Sequence, residues 1–363
     1  MSNTLGNRLR VTVFGQSHAP AIGAVIEGLP AGMKPDMDYA RAFMRRRAPG
    51  RDATATARRE DDAVEILSGL NERGEACGAP LAAIIRNRDA RSGDYAALSA
   101  TPRPGHADFT AWKKFGDARD VRGGGQFSGR LTAPVCFAGA LAMQLLRGRG
   151  VAVCAHIARL AGIDDAEPDT VAPDLPLYDW DAFPVIDPER GERMRAAILE
   201  ARRAGDSVGG VVRVLATGVP AGLGEPMFAG LENRLAAALF GIPAVRGVEF
   251  GEGFRAADMR GSEHNDAFIA REGGVCTATN RHAGALGGIT TGMPIVCRVA
   301  FKPTPTIALA QRTVNLRTGE ETSLSAGGRH DPCIVPRAVP VVEAVAALVL
   351  ADMILEGENG YGA

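Results

Sequence analysis

Short β-rich runs and longer helix-patterned runs alternate along the whole chain, and no other feature constrains the fold as much. Segments 9–14 and 21–27 read as strands around a turn containing Gly15 and Pro20. Segment 38–47 reads as a helix ending in three arginines before Pro49 and Gly50. Segments 63–70 and 81–86 read as a strand pair, and 132–147 as a helix with a broad apolar surface. Further on, 188–204 reads as a charged surface helix, 209–215 as a strand, 227–240 as a helix and 294–301 as a strand. The apolar run 341–355 predicts a long helix buried on most sides. Elements mixed in this way leave the α/β and α+β classes.

At 363 residues the chain can bury a sizeable core without metals or disulfides. We expect one domain over 1–363, with the acidic, Pro-rich stretch 164–189 as a surface excursion. A strand followed by Gly-x-Pro-Ala-Gly occurs twice, at 25–32 and 215–222. Two pseudo-repeated halves and chance explain this echo about equally well.

The net charge of −1 gives no global field to draw the chain to nucleic acid. The start of the chain has no apolar leader, and no run of ~18 apolar residues is expected, so neither a leader nor a membrane span is expected. The cysteines at 77, 136, 154, 276, 297 and 333 show no zinc spacing. They read as reduced thiols in a soluble, cytoplasmic protein, with no metal site.

Arginine supplies 37 of the 41 cations, and five loops combine Gly, Arg and His, at 15–18, 45–51, 103–108, 122–130 and 327–333. Taken singly, Gly-rich loops are usually turns and surface Arg is usually solvated. Their recurrence points to anion recognition, because a guanidinium pairs bidentately with carboxylate or phosphate, and glycines let backbone N–H groups approach an anion. The run Gly123-Gly124-Gly125-Gln126-Phe127-Ser128-Gly129-Arg130 leads into the 132–147 helix, whose N-terminus favours an anion. No P-loop or dinucleotide fingerprint is present. His18 and His106 are acid/base candidates, since imidazole titrates near neutrality. Asp331, beside Arg329 and His330, is a candidate carboxylate.

Six motifs in order resemble the chorismate synthase family from about Leu5 to Leu355. They are Phe14-Gly15-Gln16-Ser17-His18, Arg45-Arg46-Arg47-Ala48-Pro49-Gly50, Arg103-Pro104-Gly105-His106-Ala107-Asp108, the Gly123–Arg130 run, Lys302-Pro303-Thr304-Pro305-Thr306 and Gly328-Arg329-His330-Asp331-Pro332-Cys333. The resemblance implies an α+β, β-α-β sandwich with antiparallel sheets inside and helices outside, assembled as a homotetramer. It implies anti-1,4-elimination of phosphate from 5-enolpyruvylshikimate 3-phosphate, giving chorismate, with reduced FMN. By the same carry-over His18 serves the flavin near N1, His106 protonates the departing phosphate, and Asp331 assists proton movement at N5. Arg46, Arg47, Arg130 and Arg329 would bind substrate anions. Gln126, Phe127, Ser128, Ala244, Gly287, Lys302, Pro303, Thr304, Pro305, Thr306 and Arg329 match flavin-binding positions. The source of flavin reduction stays open, with NADPH acting through an external reductase the favoured expectation.

Gln16 stands where the family usually has Asp or Glu, Ala19 where it has Gly, and Gln126 where it often has Arg or His. These departures keep a flavin-binding module without lyase chemistry in view. An RNA-binding reading of the Arg/Gly loops lacks aromatic interleaving.

Overall fold

In the computed structural model, residues 3–50, 54, 62–87, 100–271, 274–325 and 331–358 are described. The first sheet contains β1 (Thr4–Leu5), β2 (Arg10–Gly15), β3 (Ala21–Glu27), β4 (Val64–Ile66) and β5 (Leu81–Arg86), in the order β1-β2-β3-β5-β4. The second contains β6 (Ala152–Leu160), β7 (Ile163–Asp164), β8 (Gly210–Thr217), β9 (Val245–Phe250) and β14 (Ile295–Phe301), in the order β7-β6-β8-β14-β9. Every pairing is antiparallel. Small ribbons stand apart: β10 (Phe268–Arg271) with β11 (Gly274–Thr277), β12 (Ala285–Leu286) with β13 (Ile289–Thr290), and β15 (Gln311–Val314) with β16 (Glu321–Leu324). The helices are α1 (Met37–Arg47), α2 (Asp108–Phe115), α3 (Thr132–Arg147), α4 (Pro188–Arg203), α5 (Leu231–Phe240), α6 (Gly261–His264) and α7 (Val335–Gly357).

Alternation sets each sheet's inner face, because successive side chains point to opposite sides of a strand. Ile22, Ala24 and Ile26 of β3 pair with Ile85, Ala83 and Leu81 of β5, and all six are buried. Val212, Val214 and Ala216 of β8 face Val299, Cys297 and Ile295 of β14 in the same way. These faces close on α3 and α7, the most extensively packed pair of helices. At the crossing, a Cβ on Gly139 would lie 2.3 Å from that of Ala344, so any larger residue would force the helices apart.

The α+β class and the antiparallel sandwich are as expected, but the layer order is reversed. Helices α3 and α7 lie inside, with a sheet on each outer side. The cause is the apolarity of α7, which has no solvent-facing stripe and therefore needs cover all round. Its length and mean hydropathy would suit a membrane span although Glu343 and Asp352 interrupt the apolar run, and its burial inside the protein accounts for both properties.

The repeated Gly-x-Pro-Ala-Gly segments follow equivalent strands. Each of β3 and β8 is the third of five in its sheet, and the orders β2-β3-β5-β4 and β6-β8-β14-β9 superpose as topologies. A helix follows each motif (α1, α5), and a central helix ends each half (α3, α7). Chain order and connectivity thus favour two pseudo-repeated halves. The excursion at 164–189 carries no helix before α4, and its Asp165 accepts His156 and the amides of Ile186 and Asp187.

Candidate active site

A cavity of ≈ 720 Å³ opens where the β2–β3 turn, the C-terminus of α1, the loops before α2 and α3, the α5–β9 turn, the segment after β14 and the start of α7 converge. It brings together His18, His106, Asp331, Arg47, Arg130, Gln126, Phe127, Ser128, Ala244, Lys302, Thr304, Pro305 and Thr306. Pro303 adjoins this wall without lining it. Gly287 lies in the β12–β13 turn, outside the lining. Arg329 lies outside the described residues.

Arg46 departs from its expected role. It is buried, with Nη1 and Nη2 donating to Glu343 at 2.5 and 2.9 Å and Nη2 donating to the Tyr178 hydroxyl at 2.5 Å. Its guanidinium also lies 4.6 Å from the Trp180 ring centre. Neighbouring residues on a helix point about 100° apart, so Arg47 faces the cavity and Arg46 the protein interior.

His18 is buried, and its Nδ1 lies 3.1 Å from Ser17 Oγ. The Ser17 hydroxyl in turn donates to the carbonyl of Arg122 at 3.2 Å. Gly123 packs so closely here, at φ 66°, that a Cβ would meet the His18 ring at 2.6 Å. Only glycine suits both the approach and the backbone. Gln16 is exposed, and among the described residues its carbonyl, not its side chain, is held, by Ala19 N and Asn87 Nδ2. The Gln16→Glu variant should therefore retain the alkaline limb of its pH–activity profile, measured over about pH 6–9. A shifted limb would establish electrostatic coupling to His18.

His106 belongs to a tighter cluster. Its Nδ1 lies 2.6 Å from Asp108 Oδ1, and Arg103 donates to Asp108 through Nε at 2.7 Å and Nη2 at 2.8 Å. Burial pushes the Asp108 carboxyl up, but the bonds from Arg103 and His106 outweigh it and hold the group well below the usual carboxylate range. Arg103 also donates to the Gly123 carbonyl at 2.8 Å and to Thr306 Oγ1 at 3.4 Å, which joins three of the site loops. Lys302 adds a bond from Nζ to the Gly105 carbonyl. Burial and the nearby Arg246 lower the Lys302 ammonium.

Also lining the cavity, Arg337 donates to Asp331 Oδ2 at 2.6 Å and to the Arg47 carbonyl at 2.9 Å. Arg47 and Arg130 both donate to the buried carboxylate of Asp62. Arg103, Asp108, Asp62 and Arg337 were not among the expected site residues. Only Arg103 and Asp108 had a local signal, sitting beside His106 in an Arg/Gly/His loop.

The family profile of chorismate synthase matches residues 9–355. A chorismate synthase from Thermococcus gammatolerans is 50% identical over 361 residues, covering 98% of this chain and 99% of that one. One from Korarchaeum cryptofilum is 48% identical over 361 residues, covering 98% of each. A solved structure titled as a chorismate synthase crystal structure superposes with a TM-score of 0.77 at 31% identity, covering 97% of this chain and 93% of that one. Whole-length identity and a shared fold lead to one assignment: the chain is an enzyme of the chorismate synthase family.

Proposed function

We propose that the chain converts 5-enolpyruvylshikimate 3-phosphate to chorismate and inorganic phosphate by anti-1,4-elimination, with reduced FMN in the cavity. The observation that carries this reading is the wall chemistry of one ≈ 720 Å³ chamber, where Arg47, Arg130, Arg337 and Lys302 stand with His18, His106 and Asp331. Small-molecule sites span roughly 300–1,000 Å³, so this chamber is of a size for a substrate beside a cofactor. The flavin fit is supported by the partly exposed rings of Phe127 and Phe240 and by the Gly123–Gly124 backbone, which line the same cavity as the cations. When bound, reduced flavin supplies electron density for C–O cleavage without net oxidation.

The chain's own residues bind, orient and move protons. Arg47 and Arg130 hold substrate anions. His106 donates a proton to the departing phosphate. His18 and Asp331 are the groups assigned to the flavin, and Gln126, Phe127, Ser128, Ala244 and the 302–306 segment form its walls. The test is an anaerobic assay with photoreduced FMN: many chorismate molecules per flavin oxidised are expected, and a one-to-one ratio overturns the reading.

Arg130→Lys is expected to weaken substrate binding by one to two orders of magnitude. The arginine donates through Nε to Asn87 Oδ1 at 3.0 Å and through Nη1 to Asp62. A lysine offers a point charge and cannot keep both anchors while meeting an anion. Loss of one charge-assisted bond costs about 1.5–3 kcal/mol. Equilibrium titration with substrate checks this, and an unchanged dissociation constant places Arg130 outside the binding site.

We also propose a homotetramer in the cytoplasm, with its flavin reduced by an external NADPH-dependent source. Strongly exposed apolar side chains, Met227, Phe228, Phe254, Phe268 and Val275, support the assembly, since they suit subunit contacts. Light scattering on the purified chain tests it.

A further inference from the structure

Asp62 is the most tightly enclosed carboxylate beside the cavity: its side chain is fully buried, and each oxygen accepts a different arginine. Arg47 Nη1 takes Oδ2 and Arg130 Nη1 takes Oδ1. A second bond fixes each guanidinium, from Arg47 Nε to Thr132 Oγ1 at 3.2 Å and from Arg130 Nε to Asn87 Oδ1 at 3.0 Å. Asn87 in turn donates to the Ala19 carbonyl at 2.8 Å, so the arrangement reaches the His18 turn. Burial pushes the Asp62 carboxyl up, but the charges of Arg47 and Arg130 outweigh it and keep the group ionised. The residue sits in left-handed backbone, φ 48°, which is uncommon for a non-glycine residue.

Two guanidiniums gathered at one cavity wall repel each other. A carboxylate between them removes that repulsion and fixes their spacing, at the cost of lowering the local positive potential. We infer that Asp62 is a positioning residue that makes Arg47 and Arg130 a single oriented anion clamp and trades affinity for simple anions against orientation of the substrate. The inference rests on assigning these two arginines to the substrate's anionic groups.

The two effects of removing the charge have opposite signs, and a purely structural role gives only one. In Asp62→Asn, kcat/KM for 5-enolpyruvylshikimate 3-phosphate, corrected for folded fraction, is expected to fall about ten- to a hundredfold as the forks lose alignment. Inorganic phosphate, titrated calorimetrically into the full chain, is expected to bind about three- to tenfold tighter, because one negative charge has gone. Wild-type kcat/KM, or parallel loss of turnover and phosphate binding, overturns the inference. If Asp62→Asn does not fold, the carboxamide is combined with Arg47→Gln, which removes one charge of each sign. Relative to Arg47→Gln alone, that double variant is expected to lose further kcat/KM, since Arg130 also loses its carboxylate anchor, while binding inorganic phosphate tighter; equal kcat/KM in the two, or weaker phosphate binding in the double variant, overturns the inference. Absence of turnover in the parent chain would defeat the reaction assigned above while leaving the phosphate titration to judge Asp62.

Discussion

His106→Ala is expected to lower turnover by about 10²–10⁴-fold, the usual worth of a positioned general acid, with flavin affinity close to that of the parent. Asp108 stays ionised far below neutrality, so it can only accept a hydrogen bond from Nδ1 at 2.6 Å. Arg103, 3.1 Å from the same nitrogen, is itself a donor. The Nδ1 proton is thereby committed to Asp108, and Nε2 is the nitrogen available for exchange with a ligand. Phosphate leaving a carbon gains negative charge as the bond breaks, and a proton from Nε2 meets that charge where it develops. Single-turnover measurement with pre-reduced FMN separates this loss from any change in binding. Turnover equal to the parent's would remove His106 from the mechanism.

Glu343→Ala is expected to cost about 3–5 kcal/mol of stability, the range for breaking a buried ion pair from one side. Glu343 is 1% exposed on α7, where it accepts both terminal nitrogens of Arg46 and the Ala155 amide at 2.8 Å. Alanine would leave a guanidinium buried against Phe43 and Trp180 with, among the described residues, only the Tyr178 hydroxyl as hydrogen-bond partner. Urea titration reads the loss as a lower midpoint. Turnover per folded molecule should stay near the parent's, because Arg46 does not line the cavity. A parallel collapse of kcat in fully folded protein would return Arg46 to the substrate site.

Helix α3 was legible to the residue, since its apolar surface is a local property of 132–147. The expected 227–240 helix breaks instead into a short 3-10 turn, Met227–Ala229, and α5, with Gly230 as the N-terminal cap. Helix α7 begins at Val335, earlier than the expected 341, because Pro336 falls in its first turn and the buried interior tolerates Pro340. The layer order was not legible, because it depends on which two apolar helices meet, and residues 139 and 344 are far apart in sequence. The motif loops exposed most of the site, their arginines and histidines being conspicuous against glycine. Asp62 was invisible for the opposite reason. It follows Arg58, Arg59, Glu60 and Asp61 in a charged run that resembles solvated surface. Its meaning comes from partners 15 and 68 positions away.

The placement of α7 also governs how the chain can be made. Its last helix, Val335–Gly357, fills the space between both sheets, and Asp352 on it accepts the backbone amides of Asn7, Arg8 and Leu9. The 7–9 segment and α7 are thus fastened to each other. While the ribosome is still translating residues between α3 and α7, the strands of the second sheet emerge without the helix that covers them, whereas the first sheet already has α3. At about 5–20 residues per second that interval lasts on the order of 10–40 s. Throughout it the nascent polypeptide presents apolar β surface, and closure of the sandwich awaits the arrival of α7.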